Sequence, residues 1–277
     1  MALYALPADL ESSRTTSNMY PHTNNDPWVT FPRPNRSALL RLFCLPYAGG
    51  GASAYRLWPA GLPPFVEVCP VQIPGREGRS REPLFAEWPP LVEAIGQAIL
   101  PLLDRPFALF GHSLGAMLGF ELARYLRRLH GKEPLHLSVS GRGAPQLPHR
   151  EPPIHALPEK EFIEELVNYD GTPREVVEHA ELMQFLLPIL RADFRISETY
   201  THTPGLPLGC PLSAFGGMLD SKVSREELEG WGAQTTTDFS VRMYPGGHFF
   251  IHTDRASLLR DISRDLTRLS ARLGRQD

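Results

Sequence analysis

Short apolar runs alternate with amphipathic stretches along the first half of the chain. "ALLRLFCLPYAGGG" from Ala38 predicts a buried strand that ends at Pro46 and a glycine-rich loop. "VEVCPVQIPG" from Val66 predicts a second strand. "WPPLVEAIGQAILPLLD" then places Leu91, Ile95, Ile99 and Leu102 at helical spacing, behind prolines that a first helical turn tolerates. "FALFG" reads as a third strand. After it, Leu114, Leu118, Leu122, Tyr125 or Leu126, and Leu129 trace one face of an amphipathic helix ending near Gly131. "LHLSVSG" follows as another strand. Strands alternating with helices across short loops predict an α/β fold, a mostly parallel central sheet with right-handed crossovers.

The alternation lapses between Pro145 and about Pro204. That block is helical in pattern, with "LPEKEFIEELVNYDG" followed by "TPREVVEHAELMQFLLPILRADFRISETYT". Strands resume with "PLSAFGG" and "FSVRMYPGG", and the chain closes on the helix "DRASLLRDISRDLTRLSARL". An all-helical block inside an α/β framework is the usual place for a lid over an active site; a helical cap on the sheet is the plainer reading. Residues 1–36 are polar and turn-rich and read as a flexible leader. Residues 37–277 then form one domain with a helical insertion at about 145–204.

Composition narrows the setting more than the chemistry. A length of 277 residues, 42% hydrophobic, suits one large domain, and 28 prolines, about double the usual share, predict many short elements. The net charge of −3 gives no general affinity for nucleic acid. No apolar run approaches the roughly 18 residues that span a bilayer, so no membrane segment is expected. "MALYALPADLESS" lacks the basic start of a signal peptide. Cys44, Cys69 and Cys210 are too scattered for a disulfide framework or metal cluster, and a cytoplasmic setting fits them. A monomer is the default expectation for a lidded single domain.

Candidate chemistry begins at Gly111-His112-Ser113-Leu114-Gly115, a G-x-S-x-G frame. At ordinary glycine and serine frequencies, a chain this long carries that frame by chance about one time in ten. Context decides. Ser113 lies between an apolar strand and an amphipathic helix, as a nucleophile elbow requires. The same scaffold needs an acid and then a histidine, each just past a later strand. Asp220 follows "PLSAFGG" and His248 follows "FSVRMY".

These residues suit acyl transfer: His248 takes the Ser113 proton, and Asp220 orients the imidazole. The backbone N–H groups of Ala48 and Leu114 are the candidates for an oxyanion hole. Competing residues fit less well. His112 lies within the elbow, His252 near the start of the last helix, and His202 near the end of the lid. Asp238 precedes its strand, Asp254 reads as an N-cap, and Asp193 in "RADF" is placed to pair with an arginine. Arg76 and Arg79 in "PGREGR" read as loop-holding groups, or as contacts to an anionic substrate. The basic helix end "ARYLRRLHGK" is explained by the helix dipole, with an acidic partner as the alternative.

With its motifs "RLFCLPYAGGGASAYRLW", "PGREGR", "FALFGHSLGAML", "LPILRADF" and "YPGGHFF", the chain resembles the type II thioesterases of non-ribosomal peptide and polyketide synthases. The resemblance runs from about Trp28 to the last helix. It implies an α/β-hydrolase fold with Ser113, Asp220 and His248 as the triad, and Ala48 and Leu114 at the oxyanion. It further implies hydrolysis of acyl or aminoacyl groups from the phosphopantetheine arm of a carrier protein, clearing misprimed or stalled units. No metal and no bound cofactor are implied, because phosphopantetheine belongs to the partner. A product-releasing thioesterase, a small-substrate carboxylesterase and a non-enzymatic binding partner are the rival readings.

Overall fold

The computed structural model describes residues 27–148, 152–168 and 179–273. Six strands form one sheet: β1 (Leu40–Leu45), β2 (Val66–Pro70), β3 (Phe107–His112), β4 (Leu137–Ser140), β5 (Leu212–Gly217) and β6 (Phe239–Tyr244). Their order is β2-β1-β3-β4-β5-β6, and every neighbouring pair is parallel. The expected α/β architecture is therefore present.

All six residues of β1 are buried, although side chains alternate between faces along a strand. Phe43 and Leu45 join one apolar cluster with Leu91 and Ile95 of α1 (Trp88–Ile99) and Leu118 and Leu122 of α2 (Leu114–His130). Leu42 and Cys44 join a second cluster on the opposite face, with Leu258 and Ile262. A sheet covered on both sides demands continuous apolar strands, which is why the runs were legible as strands without polar alternation. Gly131, at φ 60°, ends α2 as expected. Leu129 departs from the expected stripe, being 55% exposed.

The helical insertion contains α3 (Glu159–Asn168) and α4 (Ala180–Glu198). It has its own small core, in which Phe162 and Leu166 meet Met183, Leu187 and Phe194. The remainder of the expected helical text, residues 169–178, lies outside the described residues. Past β5 the chain forms a short α5 (Arg225–Glu229), closed at its start by a reciprocal Ser224–Glu227 capping box that the apolar pattern did not reveal. After β6 come α6 (Phe250–Thr253) and α7 (Arg255–Leu273). Asp254 stands between these two, its carboxylate accepting from the Ser257 hydroxyl at 2.6 Å.

Residues 27–36, which the sequence places in the expected leader, make contacts with the domain. Val29 is buried and forms an antiparallel bridge with Val71, and the Thr30 amide donates to the Pro70 carbonyl at 2.9 Å. Arg79 stacks over the Trp28 ring at 4.2 Å. Residues 27–36 therefore follow the edge next to β2, held by contacts that a polar, turn-rich text does not reveal. The rest of the expected leader, residues 1–26, lies outside the described residues.

A polar network ties α7 to the sheet. Asp265 receives two bonds from Arg242, at 2.6 and 2.7 Å, and one from the Ser213 hydroxyl at 2.8 Å. Buried His136 lies against the same Ser213 hydroxyl, with Nε2 at 3.2 Å. Burial lowers the His136 pKa to about 4, with Arg242 reinforcing and Asp265 opposing the shift. The unfolded chain binds this proton below its ordinary pKa near 6.5, whereas the folded chain excludes it until about pH 4. The stabilising contribution is thus complete above pH 6.5 and is lost as pH falls toward 4, by roughly 2–3 kcal/mol. Urea unfolding at pH 7 and pH 4.5 will show this loss in the wild type. His136→Gln, which cannot titrate, will shrink the difference between the two pH values.

Candidate active site

In a parallel sheet all carboxyl ends lie along one edge, and a crevice opens where successive connections leave in opposite directions. Here that point is β1, which lies between β2 and β3. The loop after β1 carries Ala48, and the turn after β3 carries Ser113. The loops after β5 and β6 bring Asp220 and His248 to the same edge.

Ser113 adopts φ 53°, ψ −114°, a strained conformation for a residue with a side chain. It is pinned by its amide, which donates to the Ser140 carbonyl at 2.7 Å. Both flanking glycines answer to close backbone approach. A Cβ on Gly111 would lie 1.9 Å from the Gly115 carbonyl oxygen, and one on Gly115 would lie 2.1 Å from that of Leu45. No side chain fits either position, so the G-x-S-x-G frame is imposed by the turn. Leu114 opens α2, and its amide sits at the positive end of the helix dipole.

The Asp220 and His248 loops interlock. The Met218 amide donates to the Tyr244 carbonyl at 2.8 Å and the Leu219 amide to that of Gly246 at 2.9 Å. A Cβ on Gly217 would come within 2.3 Å of the Gly247 carbonyl oxygen. This packing sets His248 Nδ1 2.8 Å from Asp220 Oδ2, with the Asp220 side chain fully buried. The other carboxylate oxygen accepts from the Lys222 amide at 2.9 Å. A carboxylate on Nδ1 leaves Nε2 as the ring nitrogen for proton exchange with a neighbouring group.

A cavity of about 660 Å³ lies between the sheet edge and the helical insertion, and Ser113, His248 and Ala48 all line it. Met117, Leu190 and Phe194 give it apolar wall, while Arg142, Glu198 and Tyr200 give it polar wall. Sequence reasoning did not single out these six lining residues. Met117 carried a usable signal, lying one helical turn beyond Ser113; the others reach the cavity only through tertiary packing. Tyr200 donates to Glu121 at 2.7 Å, and burial beside that carboxylate raises its pKa far above the ordinary phenol value.

The competing candidates differ in where they fall. His112 is fully buried, and its Nδ1 lies 2.9 Å from the Ser140 hydroxyl. Burial, followed by the nearby His248 and His252, pushes its pKa well down, and it packs beside the His248 ring with centroids 5.0 Å apart. Asp238 precedes β6, at the opposite edge of the sheet. His202 lines the cavity. His252 lies in α6 instead of the last helix, with Nε2 2.9 Å from the Tyr47 hydroxyl. Asp193 pairs with an arginine as expected. Arg76 grips it from both nitrogens, at 2.5 and 2.8 Å, and both side chains are buried. The Gly49 amide donates to the same carboxylate at 2.7 Å, so one aspartate ties α4 to both glycine-bearing loops. Arg79 pairs with Glu82 and donates to the Gln72 carbonyl. Both arginines of "PGREGR" thus hold loops together.

A family model, the thioesterase domain, matches residues 40–266, from β1 into α7. The chain belongs to the thioesterase family. It is a hydrolase acting on thioesters. Among its relatives is the gramicidin S biosynthesis protein GrsT of Aneurinibacillus migulanus, 45% identical over 239 residues, covering 86% of this chain and 93% of GrsT. Among solved structures, the type II thioesterase BorB from the borrelidin biosynthetic cluster is 34% identical, with a TM-score of 0.79 over 88% of this chain and 98% of BorB. ClbQ from the colibactin NRPS/PKS pathway is 31% identical, with a TM-score of 0.81 over 84% of this chain and 99% of ClbQ. This chain's parallel sheet with its flanking helices has the α/β-hydrolase fold. Among the described residues, no helix is long and apolar enough to cross a membrane.

Proposed function

We propose that this thioesterase is a stand-alone type II enzyme that removes acyl or aminoacyl groups from the phosphopantetheine arm of carrier proteins in non-ribosomal peptide or polyketide biosynthesis. Ser113 is the nucleophile, His248 the general base and then acid, and Asp220 the group that fixes the imidazole. The observation that carries this reading is that Ser113 and His248 line one cavity, with His248 already bonded to Asp220. The likeness to BorB and ClbQ supports the carrier-bound substrate.

The steps follow from these positions. Ser113 Oγ attacks the thioester carbonyl as its proton passes to His248 Nε2. The C–S bond then breaks, and the arm leaves as a thiol that takes the proton from His248. Water, deprotonated by His248, hydrolyses the acyl-Ser113 ester and restores the hydroxyl. The amides of Leu114 and Ala48 meet the oxyanion at both tetrahedral stages. In the loop after β1, the amides of Gly49 and Gly50 are already engaged by Asp193 and the Tyr47 carbonyl, which favours Ala48 for this role. The insertion at 145–204 acts as the lid of the cavity.

The purified chain should unload acetyl, aminoacyl and longer acyl groups from a holo carrier protein, and hydrolyse oxygen esters of the same acids far more slowly. Broad unloading is the expectation for an editing enzyme. A single strongly preferred long chain would indicate product release, and faster cleavage of the oxygen esters would replace the proposal with a carboxylesterase.

A further inference from the structure

The loop after β1 is held from two sides. From the lid, Asp193 takes the Gly49 amide at 2.7 Å. On the other side stands Tyr47, immediately before Ala48. Its ring packs edge-on against Phe249 at 5.1 Å and His112 at 5.9 Å between centroids. A Cβ on Gly50 would lie 3.0 Å from the same ring, so the glycine run leaves room for it. Its hydroxyl lies 2.9 Å from His252 Nε2. Tyr47 lines the cavity, whereas His252 stands behind it and lines none of it. The chain that places His248 after β6 continues directly into α6, which carries His252.

We infer that His252 is a positioning residue: through the Tyr47 hydroxyl it fixes the loop whose Ala48 amide receives the oxyanion, coupling that loop to the segment bearing His248. This inference rests on the oxyanion role proposed for Ala48. Burial raises the Tyr47 pKa, with Glu77 adding to the effect, so the hydroxyl keeps its proton and is able to donate it. Burial and then Arg255 lower the His252 pKa, which favours the neutral ring that accepts. The bond is local and partly solvent-facing, so its loss relaxes the loop without unfolding the chain. Because His252 lies outside the cavity, its loss acts on transition-state stabilisation and leaves substrate binding alone.

The test is steady-state hydrolysis of an acetyl-N-acetylcysteamine thioester by the full chain and by Tyr47→Phe, His252→Leu, His252→Gln and the double variant Tyr47→Phe/His252→Leu. Affinity for a trifluoromethyl ketone analogue, which forms a tetrahedral adduct, is measured alongside. Tyr47→Phe and His252→Leu should each lower kcat about 5-fold to 10-fold with KM within 2-fold and an unchanged melting temperature. The double variant should be no slower than either single one, because both remove the same bond. His252→Gln, which can still accept, should recover most of the rate. Affinity for the ketone should fall in step with kcat. Unchanged kcat, multiplicative loss in the double variant, or lost kcat with undiminished ketone affinity would each overturn the inference. Failure of the proposed acyl-serine mechanism, within which Ala48 has its oxyanion role, looks different: Ser113→Ala would hydrolyse the thioester at the wild-type rate.

Discussion

Ser113→Ala should lower kcat for thioester hydrolysis by about 10⁴-fold or more, while the chain should melt within a few degrees of the wild type. The substitution removes the hydroxyl proposed to form the acyl ester, yet keeps a Cβ at a backbone position of φ 53°. The Ser140 carbonyl and the two close-packed glycines still define the turn. His248→Ala should approach the same loss, and combining the two should cost little more, because nucleophile and base act as one unit. Steady-state rates together with thermal melting check all three. Multiplicative losses would show that Ser113 and His248 act independently.

Asp193→Ala carries the largest expected effect on stability. It leaves the buried Arg76 guanidinium without its carboxylate and removes the acceptor of the Gly49 amide. Truncating one partner of a buried ion pair typically costs about 3–5 kcal/mol, more than the pair itself is worth. Urea unfolding should therefore show a loss of that order. Asp193→Ala combined with Arg76→Met should recover a large part of it, since no uncompensated charge then remains buried. A loss below about 1 kcal/mol in the single variant would mean that water reaches Arg76 and that α4 is not fastened here. Activity should fall as well, because the Gly49 amide adjoins the Ala48 loop.

The strands and the serine, acid and histidine in their order were legible because each depends on local text. A doubly covered sheet writes continuous apolar runs, and Gly111 and Gly115 mark a turn that only glycine can build. Asp220 and His248 were reachable by topology alone, since both lie just past a strand. What stayed hidden depends on contacts across the chain. Val29 pairs with the edge next to β2 from within a polar stretch. Leu129 continues a helical stripe past the end of the surface that covers it. Tyr47 and His252 lie 205 positions apart and meet only when the first and last strand loops converge. Asp193 gave a partial signal, since a carboxylate in an amphipathic helix implies a cationic partner without saying which arginine.

The most direct test of the account is intact-protein mass spectrometry on a rapidly quenched mixture of the chain and an acyl-loaded holo carrier protein. The carrier should return to its unloaded mass, and the chain should transiently gain the mass of the acyl group, which digestion of the quenched sample should place on the peptide containing Ser113. Ser113→Ala should show neither change. Unloading by Ser113→Ala at the wild-type rate, or an acyl group carried on any other residue, would contradict it.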